Sequence, residues 1–228
     1  MKEANFPQPS IEEQEKYVLQ RDLQEIIEQK RARQRELLSE LEKSVFNQLM
    51  KNFDGEYIHL SEIADISSGI TKGRKVSSPK RSVPYLAVAN VQAGKLQLNT
   101  VKSIEATEKE IAKYRLLPND IVVTEGGDPD KLGRGTVWRG ELPEAIHQNH
   151  IFRIRIKNQK KFNPELIEAY LQHKQARTHF IKSAKQTTGI ASINKTQLCS
   201  LKIPIGINSA GFKYNSIYRL TRGLKNEL

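Results

Sequence analysis

Residues 11–50 read IEEQEKYVLQRDLQEIIEQKRARQRELLSELEKSVFNQLM and contain neither glycine nor proline. This stretch predicts one continuous α-helix of about 60 Å, because each helical residue adds about 1.5 Å of length. Ser10 and Glu13 have the spacing of a capping box, in which each side chain binds the other residue's backbone amide. The helix is therefore predicted to begin there, and the turn-forming pair Asp54 and Gly55 follows its end.

Apolar residues of this helix fall into two stripes, each with spacings of three and four residues. Between the stripes the segment EQKRARQRE is polar on every side. A helix of this length cannot bury both stripes against one small domain, so the pattern favours an antiparallel coiled coil with another long helix. The alternative is a helix that lies flat on its own domain. The stripes consist of Leu19, Leu23, Ile26 and Ile27, and of Leu37, Leu38, Leu41 and Val45.

Beyond the helix the chain is strongly basic. The 228 residues include 37 Lys and Arg against 26 Asp and Glu, which gives a formal net charge of +11. Residues 1–50 contribute −2 to that total, so the rest of the chain carries +13. A basic excess of this kind is typical of a protein that meets a polyanion, and nucleic acid is the leading candidate.

Composition also excludes several classes of protein. No apolar stretch approaches the roughly 18 residues that a membrane-spanning helix needs. The single cysteine, Cys199, excludes an internal disulfide framework and a cysteine-rich zinc site. The N-terminus has no basic segment followed by an apolar one, so a cytoplasmic location is expected.

Residues 53–205 show short strand and helix patterns in irregular order, which predicts a mixed α/β (α+β) domain. In residues 152–157, apolar and basic residues alternate, which predicts a half-buried strand. Asn163 followed by Pro164 is typical of a helix start. The chain therefore divides into a long helix (1–52), this domain, and a basic tail (206–228) with little periodicity, to which we assign no structure.

Patterns for catalysis are weak. Asp120 and Glu125 flank a predicted strand as in some metal-dependent nucleases, but Gly127 stands where such a site needs a lysine. The segment GGDPDKLGRG lacks the Gly-Lys-Ser/Thr sequence of a phosphate-binding loop. His147 and His150 could bind a metal, but no third ligand is close to them in the sequence. We predict no catalytic residue and no metal site.

Four loops of the domain are rich in side chains that contact nucleic acid. They span residues 71–81, 126–134, 147–150 and 186–195. Lys and Arg bind phosphates, while Arg, Asn and Gln also read base edges. Any one such residue is as often a solvated surface residue, so the prediction rests on the four loops together. The predicted DNA-binding residues are Lys72, Arg74, Lys75, Lys131, Arg134, His147, Gln148, Asn149, His150, Lys185, Gln186, Thr187, Asn194 and Lys195.

Five segments of the chain resemble a known family. They are ISSGITKG, VPYLAVANVQAGKL, LLPNDIVVTEGGDPDKLGRGTVW, IHQNHIFRIR and AKQTTGIASINKTQLCSLKIPI. Over roughly residues 56–205 they resemble a target-recognition domain of the specificity (S) subunit of Type I restriction-modification enzymes. The segment FPQPSIEEQ and the long helix after it resemble the spacer helix of the same family.

The resemblance implies a role and a set of partners. Such subunits hold two recognition domains apart with an antiparallel pair of spacer helices, and each domain reads one half of an interrupted DNA site. The subunit itself is non-catalytic. It docks modification subunits that methylate adenine with S-adenosylmethionine, and restriction subunits that use ATP and Mg²⁺. No cofactor is expected on this chain.

This chain holds one recognition domain and one long helix, which is half of such a subunit. We therefore expect a second copy, or a different half-subunit, to pair with it through residues 11–50. Two alternatives remain open. A half-subunit could occupy modification subunits without productive DNA reading and act as a regulator, or the chain could be a standalone nuclease or methyltransferase.

Overall fold

The computed structural model describes residues 9–75, 78–127, 132–187, 190–206 and 212–227, without the side chains of residues 185–187, 190, 212, 213 and 226. The chain divides into two compact units. One is helical and is formed by residues up to Val45 together with residues from Ser216 onward. The other is a mixed unit of helices and strands from Phe46 to Asn215.

The long helix is present as predicted. Helix α1 (Ile11–Lys51) contains 41 residues. Its start has the expected capping box, because the Ser10 amide donates to Glu13 Oε2 at 2.7 Å and the Glu13 amide donates to Ser10 Oγ at 3.3 Å. These two bonds satisfy amides that have no partner within the helix.

The first part of α1 is exposed along its whole circumference from Ile11 to Leu37. The predicted first stripe keeps about half of its surface in solvent: Leu19 is 60% exposed, Leu23 is 51% and Ile26 is 47%. In the second stripe Leu38 and Val45 are half-buried, and Leu41 is exposed. Within the part of the chain that the structure describes, the first stripe, which the sequence pattern assigned to contact with a facing helix, therefore remains uncovered.

Residues 212–227 of the basic tail form a helix, which the sequence patterns did not predict. Helix α7 (Phe212–Glu227) contains 16 residues. Within the helical unit, Glu42 of α1 accepts a hydrogen bond from the Thr221 hydroxyl and forms an ion pair with Lys225 at 2.8 Å. The tail is thus ordered by polar contacts to α1 rather than being without structure.

The other helices are short. They are α2 (Leu60–Ile63), α3 (Glu108–Tyr114), α4 (Pro164–Gln172), α5 (Lys174–Ser183) and α6 (Lys195–Cys199). Sequence patterns predicted a single helix after Asn163, but the chain is extended at His173, with ψ of 150°, and this residue separates α4 from α5. The His173 ring accepts from the Gln175 amide and so caps the second helix.

Fourteen strands are found among the described residues, most of them short. They are β1 (Tyr57–His59), β2 (Ala64–Ser68), β3 (Arg81–Leu86), β4 (Val91–Gln92), β5 (Lys95–Leu96), β6 (Lys102–Ala106), β7 (Ile121–Thr124), β8 (Gly126–Gly127), β9 (Gly135–Val137), β10 (Ile146–His147), β11 (Ile151–Ile156), β12 (Lys185–Thr187), β13 (Ile190–Ser192) and β14 (Lys202–Pro204).

The central element of the mixed unit is a four-stranded antiparallel sheet in the order β2-β11-β7-β9. The register aligns Phe152 with Ser68, Ile151 with Thr124, and Val123 with Gly135. Strand β11 confirms the predicted alternation, since Phe152, Ile154 and Ile156 are buried and the arginines between them are half-buried. We call this the main sheet.

Smaller sheets surround it. Strand β3 pairs with β10 in parallel and with β6 in antiparallel fashion, and β12-β13-β8 form another sheet of three strands. Two antiparallel pairs, β1-β14 and β4-β5, complete the set. The largest fully buried side chain is Trp138, in a cluster with Leu86, Val122 and Ile151. The mixed α/β fold with a long N-terminal helix is therefore confirmed. No helix among the described residues has the length and apolarity to cross a lipid bilayer.

Candidate nucleic-acid interface

The described parts of the four predicted loops meet at one end of the main sheet. Strands β2 and β7 end there at Ser68 and Thr124, while β11 and β9 begin there at Ile151 and Gly135. Neighbouring strands are antiparallel, so the segments that follow β2 and β7 and those that precede β11 and β9 emerge at the same end of the sheet. We call the surface at this end the loop face. The pairing of the strands brings these loops together, and sequence patterns alone do not predict that pairing.

Backbone hydrogen bonds hold the residues just before the first loop against the third loop. The Ile70 amide donates to the His147 carbonyl at 2.8 Å, and the Asn149 amide donates to the Ile70 carbonyl at 3.0 Å. Gly69 permits this close approach, since a Cβ atom there would lie 1.9 Å from the His147 carbonyl oxygen. The two loops therefore form one surface.

The second and fourth loops are joined in the same way. Strand β8 pairs with β13, which pairs with β12 in antiparallel fashion, so this strand pair, the β12-β13 hairpin, is attached to Gly126 and Gly127. Glu125 connects this hairpin to the third loop: its amide donates to the His150 carbonyl, and its carbonyl accepts from the Ile193 amide, both at 2.9 Å. A continuous backbone network thus crosses the loop face.

Three of the predicted lysines are exposed at or near this face. Lys72 and Lys75 follow β2, and Lys195 begins α6. The ammonium of Lys72 lies 5.0 Å from the centre of the Tyr85 ring, a cation–π contact that restrains its side chain. Exposed ammonium groups on a firm backbone are suited to phosphate contacts.

Arg134 is held in a defined direction. Its Nη1 donates to Gln92 Oε1 at 2.9 Å, and Gln92 in turn donates through Nε2 to the Ala89 carbonyl. The preceding Gly133 has φ of 69°, a conformation that glycine adopts without strain. Gln92 lies outside the predicted loops, so sequence patterns did not identify it as a support for Arg134.

The structure corrects the prediction for His147, which is completely buried. Its ring nitrogens lie 2.9 Å from the Tyr114 carbonyl oxygen and 3.4 Å from that of Ser67. Burial lowers the pKa of the imidazole to about 4, so the ring is neutral at pH 7. The buried His147 side chain therefore stabilises the loop from within the domain and is not accessible to DNA.

Arg74 and Asn194 are also used by the fold itself. Arg74 forms an ion pair with Glu110 in which Nη2 and Oε2 are 2.8 Å apart, and this bond to the guanidinium lowers the pKa of Glu110 to about 2. Asn194 is exposed, but its Oδ1 accepts from the Gln197 amide at 2.9 Å as the N-cap of α6. Both side chains help to position their loops, and their predicted DNA contacts stay predictions.

The third loop presents the remaining polar side chains. Gln148 and Asn149 are half-buried and His150 is exposed. His150 Nδ1 lies 2.6 Å from Glu125 Oε2, so an acidic residue that was not predicted as a binding residue belongs to the face. Lys131 and the side chains of Lys185, Gln186 and Thr187 lie outside the described part of the structure, so their predicted contacts stay predictions.

Asp120, the weak nuclease candidate, is a buried structural carboxylate. It accepts from Arg155 Nε and Nη2, each at 2.7 Å, and from the Leu117 amide at 2.7 Å. The hydrogen bond to this carboxylate raises the pKa of Arg155. In the part of the chain that the structure describes, no cluster of three or more His, Cys, Asp or Glu could hold a metal ion.

A Gly69→Ala variant should be destabilised by about 2 kcal/mol or more, because the added methyl group forces the His147 carbonyl away. Chemical denaturation of the full chain measures the effect. Gly223→Ala is the matched control, since Gly223 lies in α7 with open space around it, and alanine there should stabilise the helix by up to about 1 kcal/mol. Equal stability of the Gly69 variant and the wild type would contradict the close packing of the two loops.

Comparison with known proteins agrees with this architecture. Residues 52–210 match the family model described as the Type I restriction modification DNA specificity domain. A putative type I restriction enzyme MjaX specificity subunit from Methanocaldococcus jannaschii is 28% identical over 154 residues, which cover 67% of this chain and 36% of the relative. The EcoKI specificity subunit from Escherichia coli is 27% identical over 162 residues, 68% of this chain and 31% of the relative. The chain thus spans about a third of the length of these curated relatives.

Solved structures share the fold. The HsdS subunit from Thermoanaerobacter tengcongensis superposes with a TM-score of 0.54 at 16% identity, over 97% of this chain and 54% of that one. A chain from a study of complex assembly in the type I restriction-modification system gives 0.57 at 16% identity, over 96% and 55% of the two chains. Together with the family match over residues 52–210, the chain belongs to the Type I restriction-modification DNA specificity family.

Proposed function

We propose that this chain is a DNA-recognition half-subunit whose loop face reads one half of an interrupted target site. The observation that carries the proposal is the convergence of the four loops at one end of the main sheet. Separate surface loops could not read adjacent base pairs together, whereas loops joined by backbone hydrogen bonds can present several side chains in a fixed spacing.

The loop face offers both classes of contact that specific DNA binding needs. Lys72, Lys75 and Lys195 are exposed cations for phosphates. Arg134 can bind guanine with two hydrogen bonds, and Gln148 can bind adenine in the same manner. The net charge of +13 outside the first fifty residues adds an attraction that weakens as salt rises.

A second recognition domain completes the site. The exposed first stripe of α1 would be covered by the corresponding helix of a second copy in antiparallel orientation. Two identical domains related by a two-fold axis read identical half-sites, so the target is an interrupted palindrome.

Catalysis belongs to the partners in this proposal. Modification subunits with S-adenosylmethionine methylate adenine in the selected site, and restriction subunits use ATP and Mg²⁺. The chain itself contributes sequence recognition, and the helix pair sets the distance between half-sites. Asp120 supports this division, because it is engaged by Arg155 and buried below the surface.

Replacing Arg134 or Gln148 by alanine should change or relax the recognised bases in both half-sites at once, at about 1–3 kcal/mol for each lost two-bond contact. Methylome sequencing of cells that carry this chain and its modification partner reports the site directly. Lys157→Ala is the matched control, because Lys157 is an exposed cation beyond the opposite end of β11. It should leave the recognised bases unchanged.

Two results would overturn parts of the proposal. An asymmetric bipartite site in the methylome would mean that a different half-subunit supplies the second domain. Adenine methylation that does not depend on this chain would reject DNA recognition altogether and favour a regulator that occupies modification subunits.

A further inference from the structure

Glu125 lies at the centre of the loop face. It follows β7 directly, and its backbone is bonded on both sides, to His150 and to Ile193. The residue therefore sits between the third loop and the β12-β13 hairpin, with Gly126 and Gly127 after it. Gly126 lies against this hairpin, since a Cβ atom there would be 2.9 Å from the Ala191 carbonyl oxygen. Glu125 thus has a fixed backbone position in the middle of the face.

Its carboxylate is oriented by one neighbour. Oε2 lies 2.6 Å from His150 Nδ1, and the side chains of Glu125 and His150 are 32% and 56% exposed. Within the described residues, Oε1 has no hydrogen-bond donor from the protein. One oxygen is therefore held in place while the other is available to accept a hydrogen bond from a ligand.

A carboxylate at this position is unsuited to the phosphate backbone. Exposed lysines such as Lys72, Lys75 and Lys195 attract phosphates, whereas the Glu125 carboxylate repels them. A carboxylate instead matches an amino group on a base edge, and in the major groove its usual partner is the N4 amino group of cytosine. Charge and geometry together place Glu125 among base contacts rather than phosphate contacts.

We propose that Glu125 is a specificity-determining residue that accepts a hydrogen bond from the N4 amino group of a cytosine in the target site. His150 is the positioning residue that holds the carboxylate toward the DNA. This inference rests on the proposed function, because it assumes that the loop face lies in the major groove. Glu125 would then be an acidic base-contacting residue on a face whose other predicted contacts are mostly basic or amide side chains.

Glu125→Gln tests the inference directly. Glutamine keeps the size of the side chain but adds a donor, and this donor–acceptor pair matches adenine. The full chain, assembled with its modification subunit, is incubated with a pool of DNA duplexes of random sequence, and the bound fraction is sequenced. At one position in each half-site, the preference for cytosine should fall about tenfold, which corresponds to about 1.4 kcal/mol. All other positions should be unchanged.

Substitutions of His150 provide a second test. His150→Ala should reduce the same cytosine preference, and His150→Gln, which retains a donor, should restore part of it. Asp65→Asn is the matched control, since Asp65 lies on β2 with a side chain that is 72% exposed, and it should leave every base preference as it is.

The outcomes separate this inference from the proposed function. If the wild-type complex selects no sequence, the proposed function fails. If it selects a sequence and Glu125→Gln selects the same one, only the role of Glu125 fails. Uniform loss of binding to all sequences, or unfolding of both the Glu125→Gln and His150→Gln chains, would assign the pair a structural role and overturn the inference.

Discussion

A chain with Leu23→Glu and Ile26→Glu is expected to be monomeric at concentrations at which the proposed helix pairing makes the wild-type chain a dimer. Each of these side chains is about half exposed on α1, and burial of the exposed half contributes about 1 kcal/mol. Four such side chains in a dimer give about 4 kcal/mol, roughly a thousandfold in Kd. Buried glutamates without partners would weaken the association further.

Light scattering of the full chain over a range of concentrations measures this change. Gln24→Glu with Gln29→Glu is the matched control, because it adds two charges to the same helix outside the first stripe. Circular dichroism should show the same helix content in all three proteins. A wild-type chain that remains monomeric at tens of micromolar, with α1 folded, would contradict pairing through this stripe.

Asp120→Ala should destabilise the mixed unit by about 3–5 kcal/mol, because it leaves the partly buried Arg155 without its carboxylate. The Leu117 amide would lose its acceptor as well. Urea denaturation reports the free energy of unfolding. Asp65→Asn serves as the control, since loss of an exposed carboxylate should change that free energy by less than about 0.5 kcal/mol.

The Asp120→Ala variant also distinguishes a structural role of Asp120 from a catalytic one. A second variant, Asp120→Leu with Arg155→Leu, removes both charges and should recover part of the lost stability, because no unpaired charge remains. If Asp120→Ala were as stable as the wild type and lost a nuclease activity that the wild type possessed, the structural assignment would be wrong.

Local sequence was sufficient for the elements whose stabilising contacts lie within a few residues. The long helix and its capping box were predicted because Ser10 and Glu13 are three residues apart. The alternation in β11 was predicted because side chains point to opposite faces of a strand at every second residue. The same locality explains why the family could be recognised from contiguous segments.

The helix in the basic tail was not predicted, because the contacts that stabilise it come from distant residues. Helix α7 turns a stripe of Tyr214, Tyr218 and Thr221 to the protein interior, at spacings of four and three residues. One member of this stripe is polar, and Thr221 and Lys225 are both satisfied by Glu42, which lies about 180 residues earlier in the chain. A periodicity search for apolar residues does not detect a stripe completed by such distant polar partners.

The amino-acid sequence alone determined the long helix, the mixed α/β class, the basic excess beyond residue 50 and the family. Tertiary structure alone decided which polar loop residues face outward. His147 and His150 are separated by two residues, yet one is fully buried under carbonyl oxygens and the other is exposed beside Glu125. The physical reason is strand register, because pairing between distant segments sets which side chain of a loop points into the core and which is left at the surface.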